Sequence, residues 1–237
     1  MRAVAKADVL RTVFRGLNVL VDEARFRFGE KGLHVKAVDP GNVALVIASV
    51  PADTFGNYEV EKETVVGIDV SSIYKNFIKS TGGEIEINLD GESIVFVNKD
   101  GRLKYSTSLI DPEAIRRAPK TPKFDLPAEI ALDAMEFRKA IQMCEKISDD
   151  VITFSTGEGV FAIGAESDID RCSIKHNYNG AEAKSMFSVE YMKEISKIAD
   201  KGGLIIRLGT DLPVHLYFDF GEGYSIEYFV APRIETI

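Results

Sequence analysis

Ser72, Ile73, Tyr74 and Lys75 form an S-x-x-K run, a spacing used by some serine acyl-transfer enzymes. Its companions, an S-D-N and a K-T-G run, are missing, so Ser72 and Lys75 are expected as polar positions on a helix. Gly29-Glu30-Lys31-Gly32 lacks the Gly-Lys-Ser/Thr ending that cradles a phosphate and predicts a hairpin turn instead. Asp149-Asp150 has no histidine or second carboxylate pair at useful spacing, and a helix-to-strand corner explains it. His34, His176 and His215 are scattered on strand-like segments, none with a cysteine or carboxylate at ligand spacing. Cys144 and Cys172 lie in unlike elements with apolar patterning. They are expected to be buried free thiols in a reducing cytosol. The expectation is a protein without enzymatic activity, cofactor or metal.

The basic residues are more informative. Arg11 and Arg15 stand one helical turn apart, opposite an apolar stripe. Lys75 and Lys79 repeat this spacing, and so do Lys193 and Lys197. Lys139 and Lys146 are two turns apart, with Arg138 beside the first. The chain as a whole has a formal charge of −8, which argues against binding nucleic acid by bulk attraction. Positive charge is gathered on helix faces, while the strands and loops hold the acidic excess. A face with a few cations would touch phosphates without reading bases. There is no tryptophan, and no basic, aromatic-rich strand of the kind that stacks single-stranded bases.

Four segments have helical period: 6–18, 71–81, 134–147 and 190–201. Period-two alternation marks 24–28, 43–50, 84–89, 93–97, 151–154, 204–208, 214–218 and 225–230. Turn signals separate several of these, among them Asp90-Gly91, Lys99-Asp100-Gly101 and Gly221-Glu222-Gly223. Many short strands with few helices predict an antiparallel α+β fold. The pattern also occurs twice. Phe14 answers Ile141 and Gly32 answers Gly159 at a shift of about 127 residues; Gly82-Gly83 answers Gly202-Gly203 at about 120. Two similar halves, each of two helix-plus-strand units, are joined by the proline-spaced strip 116–127. The expected boundaries are 1–117 for the first domain, 118–130 for the connector and 131–237 for the second domain. At 237 residues the chain can fold without disulfide or metal. It shows neither a signal-peptide core nor an apolar run of membrane-spanning length, so a cytoplasmic location is expected.

Four motifs then bring a family into view: Leu33-His34-Val35-Lys36-Ala37-Val38-Asp39-Pro40-Gly41-Asn42-Val43, Leu109-Ile110-Asp111-Pro112, Asp211-Leu212-Pro213-Val214, and Tyr228-Phe229-Val230-Ala231-Pro232-Arg233-Ile234-Glu235. In this order the chain resembles the sliding-clamp family of DNA polymerase processivity factors, in its archaeal proliferating-cell-nuclear-antigen form.

The resemblance implies a ring of three identical subunits, with helices lining a central hole through which double-stranded DNA passes; a ring of different subunits is the alternative. It implies DNA-facing cations at Arg11, Lys75, Lys139, Lys146 and Lys197, with Arg15, Lys79, Arg138 and Lys193 on the same faces. It implies a subunit interface pairing Lys104-Tyr105-Ser106-Thr107-Ser108-Leu109 with Arg171-Cys172-Ser173-Ile174-Lys175 of the next subunit. It implies a partner-peptide pocket at Val38, Asn42, Val43, Thr121, Pro122, Pro213, Phe229, Ala231 and Pro232. Thr121 stands where an apolar residue would deepen that pocket. The implied partners are DNA polymerase, clamp loader, ligase and nuclease, each presenting a short apolar motif.

Overall fold

The computed structural model describes residues 1–234. The chain divides into two compact units. One comprises Met1–Pro119 with Gly221–Ile226, the other Lys120–Phe220 with Glu227–Ile237.

The first unit opens with β1 (Arg2–Lys6), which runs without a turn into α1 (Ala7–Asn18). A hairpin of β2 (Glu23–Gly29) and β3 (Gly32–Val38) follows, then β4 (Ala44–Pro51), the short β5 (Asn57–Glu59) and β6 (Thr64–Asp69). The second helix begins as α2 (Val70–Ile73) and continues as a π-helical turn, Tyr74–Ile78. Then come β7 (Glu84–Asp90), β8 (Ser93–Asn98) and β9 (Lys104–Ser108). The strands form two antiparallel sheets, ordered β5-β1-β7-β8-β9 and β4-β3-β2-β6.

The second unit repeats the plan. It contains β10 (Ala128–Asp133), α3 (Ala134–Cys144), β11 (Val151–Gly157), β12 (Val160–Glu166), β13 (Arg171–Asn177), β14 (Ala183–Ser188), α4 (Val189–Ser196), β15 (Gly203–Leu208), β16 (Val214–Asp219) and β17 (Ser225–Val230). Its strands run in the orders β10-β15-β16-β17 and β13-β12-β11-β14. Apart from β5, which has no counterpart, these orders match those of the first unit, with β17 answering β9 and β13 answering β4, so the duplication seen in the sequence is a duplication of topology.

The two cores are built alike. Phe14 of α1 lies between the sheets, with ring centroids 5.5 Å from Phe26 of β2 and 6.2 Å from Phe96 of β8. Phe137 of α3 does the same, 6.2 Å from Phe154 of β11 and 6.1 Å from Phe218 of β16. Such tilted and edge-on pairs suit the ring quadrupoles and add to the burial of apolar area. Apolar residues at helical spacing thus turn each helix pair onto its sheets, leaving the polar stripes outward.

Three differences from the sequence expectations have physical reasons. The segment 71–81 is not a plain α-helix: Lys79 N–H bonds the Tyr74 carbonyl at 2.9 Å, five residues back. The wider turn lets neighbours Phe77 and Ile78 both be buried, and Phe77 stacks on Tyr105 of β9 at 5.7 Å. The extended strip ends at Pro127, because Ala128 already pairs with Leu208 and residues 128–130 form half of β10. The cysteines are both free, but Cys172 on β13 is only half-buried and its Sγ lies 3.6 Å from that of Cys144. Burial and the neighbouring sulfur push the Cys144 thiol up to about 12, far above the range in which a thiolate forms near neutrality. Cys172 is therefore expected to alkylate with iodoacetamide at pH 7.5 at least tenfold faster than Cys144, read by peptide mass spectrometry.

Candidate functional site

The helix cations divide into two sets. Lys75, Lys79, Lys139 and Lys146 are exposed and have no ion-pair partner within 4 Å among the described residues. Arg138 and Arg15 are half-buried. The other cations are engaged. Lys193 lies 3.6 Å from the Glu145 carboxylate, and Lys197 pairs with Glu194. Arg11 donates to the Asp8 carboxylate and to the carbonyls of Lys79 and Thr81. It thereby satisfies orphan acceptors where the second helix ends, which takes its guanidinium out of the freely exposed set. Ser72, the would-be nucleophile, donates its hydroxyl to Asp69 at 2.7 Å, and its N–H bonds the same carboxylate at 2.7 Å. It is part of a helix cap, not an activated hydroxyl.

Among the edge strands of the sheets are β9 and β13. β9 pairs with β8 and β13 pairs with β12. The direction of their free groups follows from the register. Leu109 N–H bonds Glu92 and Asn98 N–H bonds the Leu103 carbonyl. Odd-numbered residues of β9 therefore face β8, and Lys104, Ser106 and Ser108 point their N–H and C=O groups to the open side. In β13, Tyr178 N–H bonds Gly159 and Ser167 N–H bonds Asp170. By the same alternation Arg171, Ser173 and Lys175 face the open side. Both strands are polar or half-buried at every position.

Several of the expected peptide-pocket residues sit on or beside hydrogen-bonded turns. Asp39, itself buried, accepts from Gly41 N–H at 2.9 Å and from Ala44 N–H at 2.6 Å. This clamp holds Asn42 at φ 59°, a left-handed conformation that asparagine tolerates, and sets Val43 at the head of β4. Arg116 donates to the Asn42 side-chain oxygen. In the second unit, Asp211 takes φ 54° and its N–H bonds the Lys184 carbonyl at 3.1 Å. The Ser185 hydroxyl bonds the Gly209 carbonyl at 2.8 Å, and this turn presents Pro213. Phe229 lies flat on His215, centroids 4.3 Å apart at 5°. His215 is fixed in turn by Arg207 at 3.1 Å and Glu227 at 2.8 Å. Ala231 and Pro232 precede Arg233, whose N–H bonds Met186 and whose guanidinium pairs with Asp150 at 2.6 Å. Thr121 is exposed and Pro122 half-buried. Glu235 lies outside the described residues.

The chain is 44% identical to the DNA polymerase sliding clamp of Archaeoglobus fulgidus over 98% of each chain. It belongs to the DNA polymerase sliding clamp family. The clamp of Methanothrix thermoacetophila is 35% identical over 99% of each chain, and residues 2–105 match the model for the N-terminal domain of proliferating cell nuclear antigen. Among solved structures, A. fulgidus PCNA bound to the C-terminal region of FEN-1 superposes with a TM-score of 0.93 at 41% identity, covering 100% of this chain and 99% of that one. PCNA of Thermococcus kodakaraensis, at 23% identity and a TM-score of 0.87 over 98% and 99% of the two chains, shares the fold.

Sliding clamps are non-enzymatic processivity factors, in keeping with Ser72 as a cap. Among the described residues of this clamp-family chain no cluster of three His, Cys, Asp or Glu is placed to hold a metal, and no helix is long and apolar enough to cross a membrane. Sequence reasoning missed the supporting groups: His215 beneath Phe229, Arg116 on Asn42, and the clamping role of Asp39. Asp39 and Asn42 carried a signal, since an Asp-Pro-Gly-Asn run is a turn former. His215 carried none.

Proposed function

We propose that this sliding clamp closes as a homotrimeric ring around duplex DNA and tethers DNA polymerase, clamp loader, ligase and nuclease through short apolar peptides. The observation that carries the reading is the pair of edge strands β9 and β13, whose alternate residues turn their N–H and C=O groups to an open side. A head-to-tail contact between them uses one open edge from each unit, and three such contacts close a ring. Closure also covers these two exposed sheet edges.

DNA retention then comes from topology. Lys75, Lys79, Lys139 and Lys146, with Arg138, Arg15, Lys193 and Lys197 beside them, supply weak phosphate contacts. Non-specific contacts of about 10⁻⁴–10⁻⁶ M permit sliding, where tight ones would stop it. Partner peptides dock at Val38, Asn42, Val43, Thr121, Pro122, Pro213, Phe229, Ala231 and Pro232. The FEN-1 segment bound to the A. fulgidus relative supports this. Burying about three apolar side chains is worth roughly 5–9 kcal/mol gross, and ordering a free tail costs about 2–5 kcal/mol of it. The net leaves partners able to exchange. Tethering raises effective concentration without new chemistry.

Light scattering combined with primer extension on a long template tests the reading. The expected mass is three times the 26.2 kDa of one chain, with longer products from a cognate polymerase. A micromolar monomer that leaves product length unchanged refutes it. A monomer that assembles only with a second clamp chain replaces the homotrimer with a mixed ring.

A further inference from the structure

We propose that the cleft lined by Arg25, Arg27, His34, Lys36 and Arg117 receives acidic side chains that flank the apolar anchor of a docked partner peptide. The inference rests on the peptide-docking reading above and adds a charge preference to it.

The cleft, of about 410 Å³, follows from strand alternation. Phe26 and Phe28 of β2 are buried toward α1, so Arg25 and Arg27 stand on the opposite sheet face. Arg27 is registered against His34 of β3, and Lys36 continues that face. Arg117 reaches the same place because the chain after β9 is fixed to the sheet. Gly67 and Ile110 exchange backbone hydrogen bonds of 3.1 and 3.0 Å, and Ile115 is buried. Only glycine fits at position 67, where a Cβ would lie 2.4 Å from the Ile110 oxygen.

The cleft is under-neutralised. Glu113 takes both Arg25 (3.2 Å) and Arg117 (2.6 Å), and Glu63 lies 3.6 Å from Arg27. Two carboxylates thus serve three guanidiniums, with Lys36 and His34 beside them, in a chain of net charge −8. The Arg25 Nη1 is buried without a hydrogen-bond partner, and burial lowers the Lys36 ammonium below the usual lysine range. The Arg25 side chain, only 20% exposed, attracts an entering anion more strongly than it would in open water.

Position favours a peptide over nucleic acid. The cleft is on the sheet face turned away from α1, while the proposed DNA side is formed by the helix cations. Val38, a proposed anchor contact, is on the same face of β3 as Lys36 and His34. At about 3.3 Å per residue, Lys36 and His34 lie roughly 7 and 13 Å from Val38. An extended flank would meet them with acids about two to four residues beyond its anchor.

The test uses two peptides built on the FEN-1 C-terminal region that binds the A. fulgidus relative. One carries three Glu within four residues of the anchor on either side, the other Gln at the same places. Fluorescence polarisation in 50 mM salt is expected to show the Glu peptide binding about tenfold tighter. At 1 M salt, where screening reaches about 3 Å, the two should converge. Arg25→Gln with Lys36→Gln should erase the preference without weakening the Gln peptide, with unchanged far-UV circular dichroism. Val43→Asp should weaken both peptides. Equal affinities in the unaltered protein, or a preference that survives the double substitution, overturn the proposal while docking stands. Binding of neither peptide overturns docking and the proposal together. A single-stranded oligonucleotide that loses affinity in the double variant while the Glu peptide does not would assign the cleft to phosphate, and the proposal falls.

Discussion

Ser106→Pro is expected to leave the chain folded and to prevent ring assembly. Tyr105 and Thr107 carry the N–H groups that bond β8, whereas Ser106 directs its N–H to the open edge. Proline there removes an outward donor and spares the internal ladder, and edge positions are where strands tolerate it. Tyr105, as the residue before proline, is already extended, the conformation proline favours in its neighbour. Its stacking on Phe77 is undisturbed. At the proposed interface the substitution leaves a neighbour's acceptor unpaired, costing about 1–3 kcal/mol. A three-membered ring incurs that cost at each interface, about 3–9 kcal/mol in all. Sedimentation should show monomer at concentrations where the unaltered chain is a trimer, with melting temperature nearly unchanged. Ser173→Pro should do the same from the other edge. The two variants together retain one intact pairing, β9 of one against β13 of the other, so their mixture should yield a dimer and no ring. A trimer from either variant alone would remove these edges from the interface.

Periodicity made some of this fold legible and hid the rest for a consistent reason. Segment 6–18 and the Gly32 and Gly91 hairpins were readable, because an apolar stripe and a left-handed glycine are local signals. Arg2–Lys6 and Ala128–Asp133 were not assigned, since each strand passes directly into a helix with no turn residue between them. Lys104–Ser108 was assigned through family resemblance alone: an edge strand that is exposed or half-buried at every position has no apolar alternation to display. At the candidate site, the helix cations could be grouped by spacing, but their partners could not. Arg11 reaches carbonyls 68 and 70 residues away, and the Cys144–Cys172 pair is 28 apart in sequence. Spacing reports which face a residue occupies; only the fold reports what meets it there.

That distinction decides which lysines should matter. Lys75→Gln, Lys139→Gln and Lys146→Gln together are expected to weaken retention on DNA far more than Lys193→Gln with Lys197→Gln. The first three are exposed and without an ion pair among the described residues. Lys193 and Lys197 already face Glu145 and Glu194, so each offers a phosphate a partly neutralised charge, and a freed carboxylate would move away from it into solvent. The readout is the salt dependence of retention on end-blocked duplex. Removing one lysine–phosphate interaction should lower the slope of log K against log salt by about 0.9, and a trimer carries each substitution three times. Lys75 and Lys139 project from helix faces and Lys146 from the turn after α3, all exposed, so the oligomeric mass and melting temperature should not change. A triple variant that keeps its slope would show that these helices do not face DNA. A double variant at Lys193 and Lys197 that weakens as much as the triple would show that their acidic neighbours do not screen them. If the ordering holds, the clamp's grip on DNA comes from a few unpaired lysines on repeated helices, each weak enough to let the duplex slide.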